Sequence, residues 1–156
     1  MNWQDGGLGL GLLAVAVVFL LSQVVVLAAT RMRFAIFARR NEGRSWQDAI
    51  RQGNVALGIR YAGHLIGTAL ASSSAGGLVT FGSGISITAW GSYLLWLVWA
   101  LVLAAALLLL SMLAQRVILS KVDLVEEVDQ QQNAGVAFVE ATVFVSIGIL
   151  FRVIIG

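Results

Sequence analysis

Long apolar stretches without a charge set the rhythm of this chain. Positions 6–30 hold no Asp, Glu, Lys or Arg, and neither do positions 61–115. Because about 20 apolar residues cross a hydrocarbon core of about 30 Å, the first stretch predicts a membrane-spanning helix over 7–29. The absence of a basic segment before it, and its length, argue for a retained helix over a cleaved signal peptide. The second stretch is too long for one span and fits two with a connector. Ser72-Ser73-Ser74-Ala75-Gly76-Gly77 and Gly82-Ser83-Gly84 supply the break, so helices are predicted over 55–71 and 93–115. The connector keeps Leu78, Val79, Phe81, Ile85 and Ile87, and it either lies on the interface or dips into it as a re-entrant loop. Trp90, Tyr93, Trp96 and Trp99 crowd the start of the third helix, as interfacial aromatics do. A final apolar run predicts a fourth helix over 134–156.

Composition agrees with that pattern. Of 156 residues, 59% are hydrophobic and 12% charged, and the mean hydropathy is +0.90. A soluble domain carries about twice that charged fraction. The formal net charge is +2, so the pI near 9.7 reflects a shortage of titrating groups and not a basic surface for nucleic acid. Seventeen Gly with no Pro suits closely packed helices. With no Cys, disulfides, thiolate nucleophiles and thiolate metal sites are excluded. The fold class expected is all-α: a polytopic membrane protein of four transmembrane helices.

The charges are confined to a few places. Arg31, Arg33, Arg39, Arg40, Arg44 and Arg51 fall in the segment 31–53, and Arg116 and Lys121 in 116–133. Under the positive-inside rule both segments are cytoplasmic loops and both termini face outward. The first loop is basic and carries Phe34, Ile36, Phe37 and Trp46. It reads as a topology determinant with an interfacial amphipathic stretch, or as a docking site, through Arg39, Arg40 and Arg44, for anionic lipid or an acidic protein. The second, Lys121-Val122-Asp123-Leu124-Val125-Glu126-Glu127-Val128-Asp129, predicts a short amphipathic helix with its valines inward. Their opposite signs allow the loops to pair with each other or with neighbouring subunits.

The chain also repeats itself. Asn54-Val55-Ala56-Leu57-Gly58-Ile59 corresponds to Asn133-Ala134-Gly135-Val136-Ala137-Phe138, each after a Gln-bearing polar turn. Each Asn is placed to cap the free N–H groups of the helix it opens. Two spans per half keep the halves in one orientation, a parallel repeat dividing at 1–90 and 91–156. The Asn-x-Ala-x-Gly start, Ala62-Gly63-x-x-x-Gly67, and the second copy with Glu140-Ala141 and Gly148 resemble the duplicated domain (DUF350) of the YjfL-like bacterial inner-membrane proteins. The resemblance covers Gly7 to Gly156. It implies four helices in two tandem copies and no particular chemistry. The longer, Arg-rich first loop departs from the simplest members.

Polar groups within the apolar runs are the best functional clue. At 1.5 Å per residue, Arg60 stands about 9 Å past the Asn54 cap, His64 about 15 Å, and Glu140 about 10 Å past Asn133. A charge at such depth costs several kcal/mol unless paired or hydrated. Arg60 and Glu140 are therefore expected to form an ion pair, within or between subunits. The pair either only locks the repeats together or, with His64, lines a hydrated ion or proton path. Helix two carries Ala56, Gly63 and Gly67 at spacings of seven and four, and helix four carries Gly135, Thr142 and Ser146 likewise. Both stripes predict close helix contacts, whereas helix three has none and is expected to face lipid. Four short helices leave no room for an internal aqueous cavity, so any pore requires a homo-oligomer.

With no Cys, one His and no carboxylate cluster on a wet surface, no enzyme, cofactor or metal site is expected. Two functions stay open: an oligomeric accessory or scaffold protein that recruits or regulates a partner at the membrane, and an oligomeric ion or proton channel or transporter using Arg60, His64 and Glu140. A reporter enzyme fused to Gly156 is expected to work only on the outer side. Activity confined to the cytoplasm would overturn the topology.

Overall fold

The computed structural model describes residues 5–79 and 90–156, with side chains from Ala16 onward. The connector residues Phe81, Gly82, Ser83, Gly84, Ile85 and Ile87 lie outside the described residues, as does the 1–4 stub. Helix α1 runs Asp5–Arg40, α2 Trp46–Arg51, α3 Val55–Ser73, α4 Trp90–Ile118 and α5 Ala134–Ile154. A 3-10 turn, Ser74–Leu78, follows α3, and one turn of π-helix, Val125–Gln130, precedes α5. Among the described residues there is no strand.

The expected helix over 7–29 is corrected to one that continues to Arg40. Met32, Phe34, Ile36 and Phe37 interleave with the arginines there, and nothing breaks the backbone before Asn41-Glu42-Gly43. Glu42 (φ 54°) and Gly43 (φ 82°) then enter the left-handed region, and Gly43 N–H closes on Ala38 O at 2.8 Å, an ordinary helix stop. The basic loop therefore shrinks to residues 41–54, spanned by α2. In the second loop, Asp123 Oδ1 accepts from Val125 N and Glu126 N, nucleating the π-turn that buries Val128 completely.

Three of the helices are long and apolar enough to cross a membrane: α1 from Ala16, α4 and α5. Their outward residues, Leu94, Leu109, Phe138 and Val153 among them, are more than 60% exposed, the side chains a lipid tail would cover. Helix α3 is less apolar because it carries Arg60 and His64, and it packs among α5, α4 and α1. Three apolar clusters follow one another along it. Ala56 and Leu57 meet Val128 and Ala137, Ala71 meets Leu107 and Phe144, and Ala75 meets Val25, Trp96 and Ala100.

Two expectations about faces are corrected. Helix α4 is not free on all sides: Trp96, Ala100, Leu103, Leu107 and Ser111, three or four apart, are buried, and Ala100, Ala104 and Ser111 give it small residues at the contact. On α5, Gly135, Thr142 and Ser146 are exposed, and the packed face is Ala137, Ala141, Phe144 and Gly148. Both stripes of α5 carry small residues at helical spacing, so the partner helix decides which turns inward.

Ala56, Gly63 and Gly67 of α3 are all buried against neighbours. At Gly63 a β-carbon would collide with Ala141 Cβ, and at Gly67 it would sit 2.7 Å from the Phe144 carbonyl oxygen. This seam lets the two backbones touch, which is how helices associate in lipid, where burying apolar surface yields nothing. Gly67→Val should lower unfolding stability in detergent by about 1–3 kcal/mol through overpacking. Gly58→Ala, with open space around it, should be neutral or stabilising by up to ~1 kcal/mol. Denaturation followed by circular dichroism checks both.

Candidate functional site

The end of the bundle that carries the loops is organised by two asparagines. Asn54 Oδ1 accepts from Leu57 N at 3.0 Å, and Asn133 Oδ1 accepts from Gly135 N and Val136 N at 3.1 and 3.2 Å, so each caps the first turn of its helix. Each amide also donates into the acidic segment: Asn54 Nδ2 to Val128 O and Asp129 O, and Asn133 Nδ2 to Glu127 Oε2. The segment between α4 and α5 is thus held from both caps.

Beyond Asn54, six residues of helix bring Arg60 to a buried carboxylate pair. Its Nε donates to Glu140 Oε2 at 2.6 Å, its Nη1 to Asp129 Oδ1 at 2.6 Å, and its Nη2 to Leu124 O at 3.0 Å. The side chains of Asp129 and Glu140 are 2% and 6% exposed. Asp129 Oδ2 accepts a further bond from Asn41 Nδ2 at 3.2 Å. Only a guanidinium, with its planar fork of donors, serves three acceptors in three directions at once.

Two more groups complete the cluster. His64, one turn beyond Arg60, lies with Nε2 3.3 Å from Glu140 Oε1, and its ring rests 3.8 Å, centre to centre, from Phe144. Arg33 reaches in from α1 and places its guanidinium 4.6 Å above the same Phe144 ring, a cation–π contact. Its two terminal nitrogens are out of water and donate to no group. The structure therefore brings together Arg60, His64 and Glu140 within one chain, and adds Asp129 and Arg33.

Neither addition was read from sequence as part of the cluster. Asp129 belonged to a segment read as a solvated helix face, and Arg33 to a segment read as loop. The absence of any breaker between Arg31 and Arg40 was the signal that Arg33 sits on a helix, where it can face inward.

Other expected residues lie apart from this centre. Arg39, Arg40 and Arg44 are exposed, and among the described residues none forms an ion pair. The two loops meet through Asn41 and Asp129, an amide and a carboxylate. Phe34, Trp46 and Tyr61 stack with ring centres 4.2 and 4.3 Å apart, pinning α2 against α1 and α3. No group of three or more His, Cys, Asp or Glu able to hold a metal exists among the described residues.

The helices leave more space than expected. A groove of about 960 Å³, lined by Arg33, Arg60, His64, Asp129 and Glu140 among others, opens beside the cluster. Its walls come from α1, α3, α4, α5 and the segment that joins α4 to α5. It is an open cleft, not an enclosed internal cavity.

The family model described as Domain of Unknown Function (DUF350) matches residues 7–155, and the chain belongs to that family. No curated protein and no solved structure matches it.

Arg60→Met alone strands two buried carboxylates and should cost about 3–5 kcal/mol of unfolding stability. Adding Asp129→Asn and Glu140→Met removes both stranded charges and should recover most of that loss. Detergent-phase denaturation of the single and triple variants measures the difference. Equal stability of the two would show that the carboxylates do not depend on Arg60.

Proposed function

We propose that this chain is a small accessory or scaffold protein of the bacterial inner membrane, presenting a fixed cytoplasmic face to a protein partner. In this reading α3 is the fourth span. Two parallel two-helix repeats of the YjfL-like kind place both termini outside and both charged loops in the cytoplasm. The observation that carries it is the Arg60 clamp. Its three hydrogen bonds go to α5, to the π-turn and to Leu124 O, so the charges hold the loops in one shape. On either side of His64 in the helix, Gly63 lies against Ala141 and Gly67 against Phe144, a seam too close for water. On the face so held, Arg39, Arg40 and Arg44 stand exposed and available to an acidic partner. The outward stripe Gly135, Thr142 and Ser146 supplies a surface on which a second copy can pack.

One observation favours a second reading, an oligomeric ion or proton channel or transporter: the groove reaches His64 and Glu140 from one side. Two measurements separate them. Crosslinking in native membranes should capture a partner with wild-type protein and lose it with Arg39→Gln/Arg40→Gln/Arg44→Gln. Purified protein in liposomes should pass no proton or ion flux above that of empty vesicles. Flux that Glu140→Gln abolishes, with capture indifferent to the three arginines, would replace the scaffold by the channel.

A further inference from the structure

The groove has a chemistry that neither reading uses. Five cations and three carboxylates line it. Arg60 is committed to Asp129 and Glu140, and Asp123 Oδ1 to two backbone N–H groups. Five against three still leaves the lining net positive, with Arg33, Arg40, Arg116 and Lys121 outside the Arg60 clamp. Arg33 is the sharpest of these, because both its terminal nitrogens lack an acceptor although no water reaches them. A guanidinium left in that condition is costly unless an anion completes it. The ring of Phe144 beneath it offsets only part of that cost.

The other half of the lining is apolar and opens sideways. Met32 and Ile36 of α1 and Met112 of α4 line the groove and are 45%, 38% and 54% exposed, on two of the helices apolar enough to span a membrane. A soluble anion would find charge at one end and a greasy wall along the rest. An amphiphile would match both halves. Basic recesses between membrane helices, at the end where lysines and arginines gather, suit phospholipid headgroups.

We propose that this groove holds one anionic phospholipid of the surrounding bilayer. Arg33 turns from Phe144 to take the phosphate, Arg116 and Lys121 close over the headgroup from the rim, and one acyl chain lies along Met32, Ile36 and Met112. The lipid supplies the acceptor that Arg33 lacks within the chain. The proposal stands apart from the partner-presenting reading, since lipid retention and partner capture are read out separately.

Native mass spectrometry of detergent-purified protein tests it, titrating dioleoylphosphatidylglycerol against dioleoylphosphatidylcholine. One phosphatidylglycerol per chain should be retained at about one-tenth the concentration needed for phosphatidylcholine. Arg33→Gln should weaken that retention about tenfold, the loss expected for one charge-assisted partner, while Arg51→Gln, exposed and outside the groove, leaves it unchanged. If Arg33→Gln does not fold, as judged by helical circular dichroism and elution volume, Lys121→Gln on the rim takes its place, with a loss in the same direction. Equal retention of the two lipids would overturn the proposal. So would a folded Arg33→Gln that retains phosphatidylglycerol like wild type, or an Arg51→Gln that loses as much as Arg33→Gln. Displacement of the lipid by millimolar inorganic phosphate would also overturn it, by making the site one for a free anion.

Discussion

A single guanidinium, that of Arg60, ties three parts of the chain to one point: α3, α5 and the acidic segment that precedes α5. In lipid, helices gain nothing by hiding apolar side chains from each other, so contact must come from packing and from polar groups that find no alternative partner. Arg60 meets both conditions. It lies where a charge must be compensated, and it is compensated by Glu140, Asp129 and the Leu124 carbonyl together. The segment before α5 therefore belongs to the folded unit, although its own sequence is too short and too charged to fold alone.

The clamp depends in turn on how closely α3 and α5 approach. Gly63 against Ala141, and Gly67 against Phe144 and Gly148, bring the two helix axes near enough for side chains at corresponding depth to meet. Arg60 sits one turn before this seam. With bulkier residues there, the 2.6 Å bond to Glu140 would open and leave charges with neither water nor a partner. Small residues and charged residues thus form one device: the first set the distance and the second make that distance necessary.

Much of this was legible in the sequence because it follows from counting. The apolar runs located α4 and α5 to within a few residues. The two asparagines marked helix starts, and distance along the helix from each put Arg60 and Glu140 at one level. What escaped was which way a helix faces. Gly135, Thr142 and Ser146 have the same spacing as Ala56, Gly63 and Gly67, yet they are exposed, because a stripe of small residues shows that contact is allowed without saying where. Arg33 escaped for a related reason. Its neighbours Arg31, Arg39 and Arg40 are exposed, and nothing local separates the one arginine of that group that turns inward. Asp129 is part of an acidic run, and it is singled out by partners far off in the chain, Arg60 69 positions away and Asn41 88 positions away.

The continuation of α1 to Arg40 has a mechanical side. Thirty-six residues make a rod about 54 Å long, longer than a bilayer is thick even with its headgroups, at about 40–45 Å. Such a rod must lean or protrude. Either way it ties what happens among the acyl chains to the far tip, where Arg39, Arg40 and the short α2 are mounted. Because the stack of Phe34, Trp46 and Tyr61 fastens α2 to both α1 and α3, any lean of the rod is one that its neighbours share and not a movement of the tip alone.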